Sequence, residues 1–342
     1  MAQNDFHVVL VAPHAEDEIV DGVQIRSVPL SHTRLDRMFL TGLRVLRKAF
    51  EEAGDLYHFH DPELIPIGLI LRIFGKKVIQ DVHEDLPRQI LRKAWIPARL
   101  RQTVSVMAEC VEWLAARAFS GIVCVTPAIL KRFPLHKSVL IQNLPILTEF
   151  SVVGSLPYRE RPGSVVYVGG VEKIRGIHEM LLAVKKLPGE LSARLLIAGT
   201  CNDPSPYLEA AGLKEEDEIR FLGWQSRDQV MQLLGQARVG LVLYHPVPDS
   251  LESQPNKLFE YMAAGIPLVA SDRPLWREIV GDAGLLVDPL DPAAIARAIQ
   301  WVLENPVDAE AMGKRGIKRV KERFAWEGEG EKLLQFYREI LS

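Results

Sequence analysis

The stretch LESQPNKLFEYMAAGIPLVAS, residues 251–271, encodes a short helix followed by a buried strand, with both boundaries marked in the residues themselves. Ser253 is placed to cap the helix, Pro255 suits its first turn, and Gly265 suits the left-handed position just past its C-terminus. Pro267 blocks continuation, and PLVAS then reads as a strand inside a sheet. Leu258, Tyr261 and Met262 share the face that packs inward, whereas Lys257 and Glu260, three apart, share another. Glu252 lies in the loop that leads to the helix N-terminus.

That N-terminus attracts anions through its unpaired amides and its dipole, so a phosphate is a natural guest. Two carboxylates beside a phosphate would repel it unless they face a neutral, hydroxyl-rich part of the same ligand, with Lys257 facing the charge. Sugar hydroxyls, diphosphate and ribose diol in that order are the layout of a nucleotide sugar. A solvated helix start with a Lys257–Glu260 salt bridge gives the same spacing.

Around this stretch the sequence alternates. From Ser164 onward the apolar runs SVVYVGG, ARLLIAG, EIRFLGW, VGLVLYHP, IPLVAS and GLLVDP are separated by helical patterns, as expected for strands buried on both faces of a parallel sheet. The segments between them, RGIHEMLLAVKKL, SPYLEAAGL, RDQVMQLLGQA, PLWREIVGD and DPAAIARAIQWVLE, complete a doubly wound α/β domain. The first half repeats the plan through HVVLVAP, VQIRSVPL, DLYHFH, KKVIQDVHE, GIVCVT and SVLIQNLP, with helices expected over 35–52, over 64–74 and in a long segment ending near Ala118. A chain of 342 residues exceeds the usual range of one core. The expected division is 1–155, 160–323 and a tail at 324–342, with the boundary in the Gly-, Pro- and charge-rich stretch 151–163. Two Rossmann-like domains facing a crevice follow, and the amphipathic tail is expected to cross back onto the first.

The net charge of −3 argues against nucleic acid as a partner. Cys110, Cys124 and Cys201 have no metal-ligand spacing and read as reduced core thiols of a cytosolic protein. No apolar run approaches the roughly 18 residues of a membrane span. Ligands of open α/β sheets collect outside the carboxyl ends of the strands. After VVYV come Gly169 and Gly170, which allow close backbone approach, and Arg175, a forked donor suited to a diphosphate. The spacing does not match the dinucleotide fingerprint. After KKVIQDV comes His83, able to donate to a sugar hydroxyl or to serve structurally. His58 and His60, with Asp61, resemble metal ligands. No further Cys or carboxylate cluster completes a site, so a buried polar network is expected and no metal. Between Arg88 and Arg101 the sequence RQILRKAWIPARLR carries five basic residues, no acidic one, and interleaved Ile90, Leu91, Trp95, Ile96 and Leu100. That mixture suits an anionic membrane surface or a lipid-diphosphate acceptor, or an ordinary solvated helix and loop.

Taken together, these residues resemble the retaining GT-B glycosyltransferases of family 4 over nearly the whole chain. ESQPNKLFE is similar to that family's Glu-x7-Glu element, and YMAAGIPLVAS, DLYHFHDPELIPIGLIL, VIQDVHEDLP and FAWEGEGEKLLQFYREIL have the family's look. The resemblance implies that Glu260 holds the ribose hydroxyls, that Glu252 addresses the donor sugar, and that His83 lies near the sugar's far hydroxyl. Gly169, Gly170 and Asn256 are expected among the nucleotide-sugar contacts. Where the family has Arg then Lys before a Gly, this chain has Gly170 and Arg175, so the diphosphate clamp is expected from Arg175, Lys257 and the helix N-terminus, without a metal cofactor. The implied reaction moves a sugar from a UDP-sugar to a saccharide or lipid-linked acceptor with retention, in bacterial cell-surface polysaccharide or glycolipid assembly at the inner face of the plasma membrane. The alternatives are a nucleotide-sugar epimerase and a non-catalytic sugar- or nucleotide-binding protein. The opening MAQNDFHVVLVAPHAEDEIVDGVQIRSVPL looks like the family's second and third strands, so a first strand, Gly-bearing loop and helix are expected to be missing from the sequence as it stands.

Overall fold

The computed structural model of the protein describes residues 6–29, 40–93, 95–152, 156–214, 218–247 and 251–342. The chain divides into two compact units, Met1–Gln142 with Glu329–Ser342, and Asn143–Gly328. The division falls ahead of the stretch 151–163 where composition places it, because Leu144 and Phe150 are already buried in the second unit's core. Residues 153–155 of that stretch lie outside the described residues. The tail likewise leaves the second unit later than Phe324, whose ring packs on Phe259 at 5.1 Å between centroids.

In the first unit, β1 (Val9–Pro13), β2 (Glu18–Val20) and β3 (Val23–Val28) form a sheet in the order β1-β3-β2, with β1 parallel to β3 and β2 antiparallel. A hairpin joins β2 to β3. Asp21 and Gly22 both take positive φ, 49° and 81°, as a two-residue hairpin turn matched to strand twist requires. Then come α1 (Gly42–Glu52), β4 (Leu56–Phe59), α2 (Ile65–Ile73), β5 (Lys77–Val82), α3 (Leu86–Ile90), α4 (Ala98–Ala118), β6 (Gly121–Cys124), α5 (Pro127–Leu130) and β7 (Ser138–Leu140). The expected helix over 35–52 is seen as α1; residues 35–39 lie outside the described residues. Strands β4 to β7 make a parallel sheet in chain order. On one face Val78, Val82, Ile122 and Cys124 pack with Ile65 and Leu71 of α2 and Ala115 and Ala116 of α4. Cys110 is exposed on α4, so it is not the core thiol that the sequence suggested.

The second unit contains β8 (Ser164–Val168), α6 (Ile177–Lys185), β9 (Arg194–Ala198), α7 (Ser205–Ala211), β10 (Ile219–Gly223), α8 (Arg227–Gln236), β11 (Ala237–Val242), α9 (Asn256–Ala263), β12 (Leu268–Ser271), α10 (Pro274–Val280), β13 (Gly284–Val287), α11 (Pro292–Glu304) and α12 (Pro306–Arg323). Its strands are all parallel, in the order β10-β9-β8-β11-β12-β13, so all six apolar runs of the second half become strands. Chain direction across the sheet reverses between β8 and β11, the topological switch point at which such sheets bind ligands.

The last helix, α13 (Trp326–Leu341), contributes residues from Glu329 onward to the first unit. There it packs on the sheet face opposite α2 and α4. Gly121 leaves room for Phe336 and Ile340, which a Cβ would approach to 2.6 Å. Lys77 Nζ donates to the Leu341 carbonyl at 2.7 Å, and the Gln142 amide donates to Glu329 at 2.8 Å.

Candidate functional site

Helix α9 is held by its apolar face, because Leu258, Tyr261 and Met262 are fully buried, each worth roughly 1.5–3 kcal/mol or more of burial. The helix ends as read, with Gly265 at φ 67°. Its start differs from the expectation. Pro255 is the N-cap residue, no side chain caps it, and the Ser253 carbonyl instead accepts from Trp276 Nε1 at 2.8 Å. Ser253 lies two residues before the N-cap, and its carbonyl is anchored from α10. The Leu258 amide donates to the Pro255 carbonyl at 3.0 Å, and the two amides before it, of Asn256 and Lys257, have no intrahelical acceptor.

Lys257 does not pair with Glu260. Its side chain is 7% exposed and passes inward, with Nζ 4.4 Å from the Tyr167 ring centroid, 5.3 Å from that of Tyr244 and 3.5 Å from the Tyr244 hydroxyl. Gly169, at φ 137°, makes the room, since a Cβ there would stand 2.7 Å from Lys257 Nζ and 3.5 Å from Arg175 Nη1. A Cβ on Gly170 would stand 3.4 Å from the same Arg175 nitrogen. Gly169, Gly170, Arg175 and Lys257 therefore converge at the carboxyl ends of β8 and β11. Burial, and then the Arg175 guanidinium, push the Lys257 ammonium down to about 7. Arg175 also pairs with Glu172 at 3.4 Å and lies 5.9 Å from the Tyr244 ring. Two cations drawn together in a half-enclosed aromatic pocket, with one of them partly discharged, form a seat for a multiply charged anion.

Tyr167 and Tyr244, the aromatic walls of this seat, escape a reading based on charge. Their signal is position, since one lies near the end of β8 and the other two residues beyond β11. Tyr167 donates to the Gly170 carbonyl at 2.7 Å, and Arg273 and Ser271 fix the Tyr244 carbonyl at 2.5 and 2.9 Å. Glu260 is ion-paired instead with Arg227, the first residue of α8, at 2.6 Å, and the same guanidinium reaches Glu149 at 2.7 Å. Arg227 was not foreseen. Asn256 is exposed at the first turn of α9, and Glu252 is exposed in the turn before it, with residues 248–250 outside the described residues.

His83 belongs to the first unit, beyond the carboxyl end of β5. Its Nε2 lies 3.2 Å from Asp81 Oδ2 and 2.9 Å from His60 Nδ1. The hydrogen bond to Asp81 raises the His83 pKa against the effect of burial. Burial pushes Asp81 up, but contacts from His58, His60 and His83 outweigh it and hold the carboxyl far below the usual carboxylate range. The sequence reading found no carboxylate to join the two histidines. Asp81, on the neighbouring strand, joins them at 3.3 Å from His58 Nε2 and 3.2 Å from His60 Nδ1.

This doubly wound unit, with a cationic seat at its switch point, is of the kind that binds phosphorylated ligands. Residues 154–319, just under half of the chain, match the family model described as Glycosyl transferases group 1. The O-antigen chain mannosyltransferase B of Escherichia coli is 30% identical over 189 residues, a match that covers 54% of this chain and 46% of that relative, under half its length. Among solved structures, sucrose-phosphate synthase (tll1590) from Thermosynechococcus elongatus superposes with a TM-score of 0.77 at 22% identity, covering 99% of this chain and 90% of that one. Anabaena Alr3699/HepE in complex with UDP-glucose gives a TM-score of 0.70 at 15% identity, covering 93% and 86%. Both likenesses establish the α/β fold with parallel sheets. Among the described residues no helix is long and apolar enough to cross a membrane.

Proposed function

We propose that the chain transfers a glycosyl group from a nucleoside diphosphate sugar, a UDP-sugar, to an acceptor hydroxyl with retention of configuration. The observation that carries this reading is the convergence of Lys257 and Arg175 on Gly169 and Gly170 beside the N-terminus of α9. Negative charge grows on the leaving diphosphate as the glycosidic bond breaks. Cations and amides placed there stabilise the transition state more than the ground state. In this reading Arg175, Lys257 and the α9 amides hold the diphosphate, and the transfer needs no metal there. Glu260 accepts the ribose hydroxyls, and Glu252 addresses the donor sugar. In retaining transfer the acceptor attacks from the face the leaving group departs from, so a diphosphate oxygen can take its proton and no protein base is needed.

The E. coli relative's name supports an acceptor of the cell-surface saccharide class, and the UDP-glucose bound by the Anabaena protein supports the donor. The proposal extends to peripheral docking on the inner face of the plasma membrane. Leu91, Trp95, Leu100, Met107, Val111 and Leu114 are exposed large apolar side chains, the last four recur along α4 at helical spacing, and Arg92, Lys93 and Arg99 are interleaved in sequence with the first three. Calorimetry with UDP, beside mass spectrometry of a UDP-sugar panel incubated with membrane lipid extract, tests the reading. Binding with UDP release and a glycosylated product is expected. Binding without UDP release would favour a non-catalytic module, and a changed sugar still attached to UDP an epimerase.

A further inference from the structure

The first unit gathers a set of ligating atoms, His58, His60 and Asp81, to which the proposed transfer assigns no role, beside the His83 that the resemblance puts near the donor sugar. The register of β4 and β5 pairs His58 with Ile79 and Phe59 with Gln80, and one step further it sets His60 beside Asp81. Alternation then puts His58, His60 and Asp81 on one face of the same rigid sheet. His58 Nε2 and His60 Nδ1 stand 3.3 and 3.2 Å from one oxygen, Asp81 Oδ2, and the three ligating groups lie within 4.8 Å of one another. The edge of a tetrahedron with metal bonds of about 2.0–2.1 Å is about 3.3 Å.

Protons alone satisfy this arrangement poorly. His60 Nδ1 and His83 Nε2 face each other at 2.9 Å while both face Asp81 Oδ2 at 3.2 Å. If one nitrogen donates to the other, the acceptor's lone pair points at a carboxylate oxygen. If both are protonated, two N–H groups oppose each other. Among the described residues, His58 Nε2 and Asp81 Oδ1 are buried without a hydrogen-bond partner, and Asp81 is 7% exposed. Unpaired polar atoms in such a place are destabilising. A cation would turn converging lone pairs from a liability into ligands. The outer shell is also present, because the His58 Nδ1 contact to the Tyr337 hydroxyl of α13 fixes the ring and directs Nε2 toward Asp81.

We propose that His58, His60 and Asp81 bind a divalent transition-metal ion, Zn2+ or a first-row neighbour, with His83 bordering the fourth position. Two imidazoles and a carboxylate are the donor set such ions prefer over Mg2+ or Ca2+. The diphosphate binding proposed above rests on residues of the second unit and does not depend on this ion.

The test is a Zn2+ titration of tag-free protein stripped with chelator, followed by calorimetry and, with Co2+, by the visible absorption of the bound ion. One saturable equivalent per chain is expected. His60→Ala, whose side chain is 59% exposed and so dispensable to folding, is expected to lose that equivalent. Asp81→Asn is expected to lose it as well, and thermal melts followed by circular dichroism check that both variants are folded. Tyr337→Phe keeps the ring and removes the outer-shell hydroxyl, so it should weaken Zn2+ binding about 10–100-fold. Absence of a saturable equivalent in the wild type, or an equivalent unchanged in folded His60→Ala, would overturn the assignment.

Discussion

The proposed role of Lys257 at the diphosphate predicts a pH dependence of nucleotide binding, set by the burial of its ammonium. Its pKa is depressed from an ordinary 10.5 to about 7, because the ammonium is desolvated against Tyr167 and Tyr244 and repelled by Arg175. A diphosphate that requires the charged form must draw in a proton when it binds above that pH. If only the protonated form binds, apparent affinity falls by about 16-fold between pH 7 and pH 8.5, about 1.7 kcal/mol at 1.36 kcal/mol per unit. The stability term has the opposite sign. Between about pH 7 and 10 the unfolded chain holds the Lys257 proton and the folded chain does not, so this group makes the unliganded protein more stable as pH rises.

Calorimetry in two buffers of different ionisation enthalpy reads both affinity and proton uptake. At pH 8 about 0.9 proton should enter with each UDP, from a group of pKa about 7. Uridine, which lacks the diphosphate, should show neither the slope nor the uptake. Lys257→Met should bind UDP more weakly at pH 7, show no slope attributable to this residue, and melt at a higher temperature, because a buried cation has been replaced by an apolar chain of similar length. A wild-type affinity that is flat from pH 7 to pH 8.5, or a slope that survives in Lys257→Met, would refute the reasoning.

Glu260→Gln should weaken UDP binding by about 1.5–3 kcal/mol, the worth of a charged hydrogen bond; unchanged affinity in a folded variant would remove the ribose assignment. Glu252→Gln should lower kcat while leaving UDP affinity nearly intact, and equal losses of affinity in both variants would defeat that division of labour. Arg175→Ala should weaken UDP more than uridine, and chelator should leave wild-type UDP affinity unchanged; restoration of lost binding by a divalent ion would place a metal at the diphosphate. Arg92→Glu with Lys93→Glu should reduce sedimentation with anionic vesicles, and wild-type protein that never sediments with them at low salt would end the membrane reading.

The second unit was legible because its strands are buried on both faces and read as continuous apolar runs, for which no register is needed. The hairpin β2–β3 was missed although Asp21-Gly22 is the dipeptide that such a turn selects. What could not be read is which side chain turns where. The spacing of Lys257 and Glu260 fits a surface salt bridge, and only the packing of Tyr167 and Tyr244 shows the lysine going inward. Asp81 joins His58 and His60 only once β4 and β5 are paired, and strand pairing is a tertiary fact that local pattern does not encode.

The conflict raised by two carboxylates near a diphosphate is resolved by how the cations are allocated. Arg227 opens α8 under a capping box in which Ser226 and Gln229 bond reciprocally, so its backbone is fixed. Its guanidinium bridges Glu149 and Glu260, binding Glu260 Oε1 at 2.6 Å. The charge of Glu260 is thus balanced without drawing on Lys257, and a carboxylate has about four lone-pair sites, so one contact leaves room for two hydroxyl donors. Lys257 and Arg175 stand together at Gly169, where no described carboxylate other than Glu172 is paired with either of them. Had Lys257 neutralised Glu260, the seat would hold one cation and face a diphosphate with too little charge. With Arg227 in that role, both cations remain at the switch point, and Lys257 and Glu260 share one short helix without drawing on each other.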